Sequence, residues 1–132
     1  MGSIEIITAT IISFIFGALW YGPLFGKTWA RLMGFKDIDK KKAKQKGMAK
    51  LLIVNFIGTL ITAFVLSTIL NRMYITSVTK SAEIAVLLWL GFYASSTLLG
   101  SVLWENKPIK LYILNASYWL LNLLIIGVVV VL

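Results

Sequence analysis

The stretch Trp20-Tyr21-Gly22-Pro23-Leu24-Phe25-Gly26-Lys27-Thr28-Trp29-Ala30-Arg31-Leu32-Met33-Gly34 stands where the first long apolar run meets the first basic residues. Tryptophan and tyrosine favour the membrane–water boundary, because their amphipathic rings lie at the level of the lipid headgroups. Pro23 lacks a backbone N–H and so stops a helix or restarts it at a new angle. Beyond it, Phe25, Trp29 and Leu32 fall at i, i+4 and i+7, on one helical face, with Lys27 and Arg31 on another. That pattern predicts a short helix in the membrane interface, rings toward the lipid and cations toward anionic headgroups. The segment reads as an elbow between a membrane span and a basic loop.

On either side of the elbow the chain divides into uncharged runs. These are Ile6–Gly26 (21 residues), Leu51–Asn71 (21), Ile84–Trp104 (21) and Leu111–Leu132 (22). A bilayer core about 30 Å thick needs about 20 apolar residues in a helix. Composition agrees: 59% of the 132 residues are hydrophobic and 14% charged, against roughly half and a quarter in soluble domains. The prediction is an all-α polytopic transmembrane bundle of four helices forming a single domain, 1–132. Its spans are expected at about 4–21, 51–71, 84–104 and 109–131, with a basic loop over 23–50. Lipid hydrocarbon demands such a fold, since every backbone group must be satisfied within it. The first span starts directly after Met-Gly-Ser with no basic n-region, so it is expected to be a retained span rather than a cleaved signal.

The net charge of +8 is a topology signal. Nine of the thirteen Lys and Arg residues lie between Lys27 and Lys50, beside the membrane. With four spans, that loop shares one side with Lys107 and Lys110, leaving Arg72 and Lys80 on the other. The positive-inside rule then predicts a multi-pass cell-membrane protein with both termini outside and the basic loop cytoplasmic. Anionic lipid headgroups are the expected partners of that loop; nucleic acid is not. Within it, Asp37 and Asp39 can cap a short basic helix reaching Lys46, with Gly47 as a joint before the second span.

Catalytic chemistry finds little material. The chain has no cysteine and no histidine, which removes thiol chemistry and histidine-ligated zinc or haem. Glu5, Asp37, Asp39, Glu83 and Glu105 lie at boundaries or in loops, whereas an ion or proton path is marked by an ionisable residue at membrane depth. Gly22 to Thr28 resembles a phosphate-binding loop, but only three residues separate its glycines where four are needed. No enzyme and no cofactor are predicted.

Amides and hydroxyls within the spans are the remaining candidates. Asn55, Ser95, Ser96, Asn115, Tyr118 and Asn122 define a candidate polar cavity, since a buried amide must find a partner. Its mouth is assigned to Glu105 and Lys27, with the elbow residues Trp20, Tyr21, Gly22, Pro23, Phe25, Gly26 and Trp29 alongside. The simpler expectation is that the amides hold helices together. Ala9, Ser13 and Gly17 recur every four residues, a stripe that lets another helix approach closely. Gly17-x2-Trp20-x2-Pro23 is weakly echoed by Gly100-x3-Trp104-x3-Pro108.

The elbow from Trp20 to Trp29, closed by Gly34, resembles the domain of unknown function 1761 family. So do the turn Trp104 to Pro108 and the Asn-x-x-Tyr of Asn115 to Tyr118. The resemblance covers essentially the whole chain and implies a small four-span membrane protein; it brings no substrate, cofactor or reaction. Two functions stand side by side: a structural or binding membrane protein acting as a homo-oligomer, and a small-solute or ion transporter or channel.

Overall fold

The computed structural model describes residues 2–34 and 47–132. The basic helix expected between Asp37 and Lys46 lies outside the described residues. Among the described residues five helices follow in order. α1 covers Ser3–Leu24, α-helical to Leu19 and widened to a π-helix over Trp20–Leu24. α2 is Gly26–Met33 and α3 is Met48–Arg72. α4 covers Val78–Trp104, with π segments at Trp89–Ala94 and Leu98–Trp104. α5 is Ile109–Val131. Four of them (α1, α3, α4 and α5) are long and apolar enough to cross a bilayer. The protein is a multi-pass membrane bundle.

Local chemistry sets the helix ends. Glu5 accepts the Gly2 N–H at 2.8 Å at the start of α1. α2 stops at Gly34, whose φ of +74° is the left-handed conformation that glycine reaches without strain. α4 starts at Val78, ahead of the uncharged run beginning at Ile84, because Ser77 caps it by accepting the Lys80 N–H. The charged residues Lys80 and Glu83 therefore form its first turns. Pro108 precedes α5, where a missing N–H costs nothing.

α5 is the central helix. It packs along α1 on one side and α4 on another, and α3 closes on α1 and touches α5. The packed core lies in the half of the bundle that holds the chain ends: Ala9, Ala63, Leu66, Leu70, Ile126 and Val130 are all buried there. The other half is open. Every α3 residue from Met48 to Asn55 is exposed, so the first half of that helix stands away from its neighbours. An edge-to-face contact of Phe14 with Phe56, centroids 5.5 Å apart, spans the gap.

The echo in the sequence has a structural counterpart. α1 and α4 both end in a wide turn, with Phe25 N–H donating to Trp20 O at 2.8 Å and Glu105 N–H to Gly100 O at 2.9 Å. Only α1 also bends, at Gly22 (φ −107°, ψ −105°), just before Pro23.

Candidate functional site

The elbow brings Tyr21 to the site and packs other rings beside it. Pro23 has no N–H to give and Gly22 leaves the helical region, so the chain turns and α2 begins at Gly26. Gly26 is required by contact, because a Cβ there would lie 2.6 Å from the Tyr21 carbonyl oxygen. The rings of α2 turn onto the bundle: Phe25 sits 4.6 Å from Trp20, and Trp29 5.9 Å from Tyr21. Lys27 and Arg31 lie on the other face, as the spacing implied, so α2 is amphipathic.

Tyr118 of α5 joins these rings into a cluster. It stacks on Phe16 at 5.5 Å, meets Tyr21 edge-on at 4.9 Å, and touches Trp119, which in turn meets Tyr93. Gly17 makes this possible, since a Cβ there would come within 2.8 Å of the Tyr118 hydroxyl. The small-residue stripe of α1 thus admits a tyrosine ring as well as a helix. Each such aromatic pair contributes about 0.5–1.5 kcal/mol beyond its buried area.

Beside the cluster, between α1, α3 and α5, lies a cavity of about 550 Å³. α1 gives it Phe14, Gly17 and Tyr21, and α5 gives Tyr118 and Trp119. From α3 come Asn55, Gly58 and Thr59, which share a face at helical spacing. Among the described residues no charged side chain lines it. The cavity exists because α3 leans out over this half of the bundle.

The candidate polar residues divide by partner. Asn115 accepts a hydrogen bond from the Tyr21 hydroxyl at 2.7 Å. Asn122 is buried and accepts one from Ser13, also buried. Both amides therefore tie α5 to α1. Asn55 and Tyr118 line the cavity, and among the described residues neither the Asn55 amide nor the Tyr118 hydroxyl has a hydrogen-bond partner. Thr59 is satisfied locally, donating to the Asn55 carbonyl at 2.9 Å.

Ser95 and Ser96 are exposed on α4 and do not line the cavity. They donate to their own helix, Ser95 to Leu90 O at 2.8 Å and Ser96 to Phe92 O at 2.9 Å. α4 is instead stitched to α5 by side chains reaching backbone carbonyls. Trp89 donates to Ala116 O, Tyr112 to Ala94 O and Ser81 to Gly127 O, at 2.7 to 2.8 Å. Glu105 is exposed in the turn after α4, outside the cavity lining, and Lys27 does not line it either. Phe14, Ala18, Leu52 and Trp119 are wall residues outside the sequence candidates; Gly58 and Thr59 follow Asn55 at i+3 and i+4.

Among the described residues no cluster of acidic side chains could hold a metal ion. No curated protein and no solved structure matches the chain. The model of one family, described as a protein of unknown function (DUF1761), matches residues 4–131. That span takes in the elbow, all four long helices and the cavity between α1, α3 and α5, so the chain belongs to the DUF1761 family.

Proposed function

We propose that this is a non-catalytic binding protein of the membrane, whose cavity between α1, α3 and α5 takes up an uncharged amphiphile from the bilayer. The observation that carries the reading is the cavity itself: about 550 Å³, walled by aromatic rings, with no charged side chain among its described lining residues. Ligand pockets of this size are mainly apolar, with a few polar groups that orient the guest. A binding role is favoured over a channel by what lies beyond the cavity. There the Ser13–Asn122 pair is buried, and Ala9, Ala63, Leu70 and Ile126 fill the bundle.

Filling the cavity tests this. Gly58 is a wall residue with nothing within 4 Å of an added Cβ, so Gly58→Trp places an indole in the cavity without a backbone clash. A dansyl-labelled fatty amide should bind the wild-type protein saturably, read by energy transfer from tryptophan. Gly58→Trp should weaken that binding at least tenfold, roughly 1.4 kcal/mol, at an unchanged melting temperature. Non-saturable uptake, or equal binding by the variant, would reject the reading.

Orientation and assembly complete the proposal. The basic end, with Lys27, Lys50 and Lys110, is assigned to the cytoplasm by the positive-inside rule, where the loop meets anionic lipid. Self-association is assigned to the outer face of α4, whose Gly91, Ser95 and Ser96 are exposed and suit close helix contact. The chain has no cysteine, so introduced ones report cleanly. A thiol probe should reach Lys27→Cys only from the cytoplasmic side, and Gly91→Cys should cross-link between copies in native membranes. Labelling from outside, or no cross-link at Gly91→Cys, would reject the corresponding assignment.

A further inference from the structure

The cavity wall has a polar character more specific than its size. Three groups on its wall have no hydrogen-bond partner among the described residues: the Tyr118 hydroxyl, an O–H donor, the Trp119 indole N–H, and the Asn55 amide, whose NH₂ carries two further donors. A further donor lies behind the lining. The indole Nε1 of Trp20 is buried with no partner among the described residues, and its ring is 6.2 Å from that of Tyr118. The neighbouring side-chain acceptors are already used, Asn115 by Tyr21 and Asn122 by Ser13. The Asn55 carbonyl oxygen and the Tyr118 oxygen can themselves accept, but the indole N–H groups are donor-only, so the spare polar capacity is weighted toward donors and suits an acceptor.

Charge narrows the ligand. Among the described residues no carboxylate lines the cavity, and Lys27, Arg31, Lys50, Lys107 and Lys110 lie at this end of the bundle. An organic cation would meet ring faces but no counter-charge, against a repulsive field. An anion would find no cationic side chain among the described wall residues. Depth narrows it further. Asn55 follows Lys50 and Tyr118 follows Lys110, which at about 1.5 Å per residue puts the two groups roughly 8 and 12 Å below the lysine level. Headgroup and interfacial layers occupy only about 5–8 Å on each side of the hydrocarbon. The donors therefore face the layer of lipid ester groups and first methylenes.

Resting on the binding reading above, we propose that the cavity recognises the carbonyl oxygen of a neutral, lipid-soluble molecule through the Tyr118 hydroxyl and the Asn55 amide. Two sources carry that chemistry at that depth, the ester of a glycerolipid and the ring carbonyl of a lipid-soluble quinone. The aromatic walls (Phe14, Tyr21 and Trp119) accept either an acyl chain or a planar ring.

The test uses the full chain in detergent and native mass spectrometry with two matched pairs of probes. One pair is a dioleoyl diester of glycerol and its diether, which lacks the carbonyls; the other is a decyl-substituted benzoquinone and decylbenzene. In at least one pair the carbonyl compound should be retained about fivefold or more over its partner, the effect of one or two hydrogen bonds. Preference within the first pair identifies a bilayer lipid as the source, and within the second a quinone. Tyr118→Phe and Asn55→Leu should each move the ratio toward one while leaving the carbonyl-free probe and the melting temperature unchanged.

Ratios of one in the wild type, with Gly58→Trp still abolishing retention, would overturn the carbonyl inference and leave the cavity reading intact. So would variants that weaken both members of a pair equally. Retention that Gly58→Trp does not affect would overturn the cavity reading itself, and the carbonyl inference with it.

Discussion

Gly127→Ala is expected to destabilise the bundle by about 2–3 kcal/mol, more than any cavity-wall substitution. The added Cβ would lie 2.8 Å from Ser81 Oγ, and Ser81 is fully buried. The hydroxyl cannot simply swing aside, because it donates to the Gly127 carbonyl at 2.7 Å. Leu66 of α3 also lies 3.9 Å from the same Cβ position, in van der Waals contact. Either α4 and α5 separate or the hydrogen bond is lost, and both outcomes loosen the core around Ile126 and Val130. Removing the obstructing oxygen gives the control. Ser81→Ala costs about one hydrogen bond by itself, and it should make Gly127→Ala nearly neutral when the two are combined, a coupling that a double-mutant cycle measures directly. Thermal unfolding of the four proteins in one detergent is sufficient. A single variant that melts with the wild type, or a pair whose costs simply add, would show that this contact does not hold α4 to α5.

The same contact shows what the sequence carried and what it did not. Four spans are legible because lipid imposes a simple requirement, about 20 uncharged residues per helix, and charged residues interrupt the chain at that spacing. Rotation of each helix is another matter. In water a helix declares its inner face by a polar stripe opposite; in lipid both faces are apolar, and the declaration is missing. Asn115 and Asn122 could be placed on one face of α5, but not on the face that meets α1. Ser95 and Ser96 looked equivalent to Asn55 by polarity. They differ because a serine hydroxyl can donate to the carbonyl one turn back in its own helix, as both do. An asparagine amide has more donors and acceptors than that can satisfy. Serine hydroxyls at membrane depth are therefore weak evidence for a cavity, whereas an amide marks either a contact between helices, as Asn115 and Asn122 do, or a cavity wall, as Asn55 does. The cavity itself depends on α3 leaning away over Met48–Asn55, where Phe14 and Phe56 set the gap. Ring volumes decide that spacing, and no periodicity encodes it.

The elbow was legible as a turn from Pro23, and its dependence on Gly26 gives the other large effect. Gly26→Ala is expected to open the elbow, raising the rate of trypsin cleavage at Lys27 and Arg31 about tenfold or more. The new Cβ would sit 2.6 Å from the Tyr21 carbonyl oxygen, a backbone atom that cannot rotate away. Relief requires widening the turn that the Phe25 N–H closes on Trp20 O at 2.8 Å. α2 then swings off the bundle, giving up the contacts of Phe25 with Trp20 and of Trp29 with Tyr21. Those pairs contribute about 0.5–1.5 kcal/mol each, so their loss raises the open fraction by about tenfold or more, and cleavage follows that fraction when opening is fast. The core lies in the opposite half of the bundle, so the melting temperature should fall less than in Gly127→Ala. Gly100→Ala supplies the comparison. Gly100 lies in the wide turn that ends α4, where it is the counterpart of Gly17 in the echoed pattern, and a Cβ on it would meet nothing within 4 Å. That variant should leave cleavage at Lys27 and Arg31 unchanged. Should Gly26→Ala be cut within about twofold of the wild-type rate, the elbow is not held by this contact, and α2 is positioned by its rings alone.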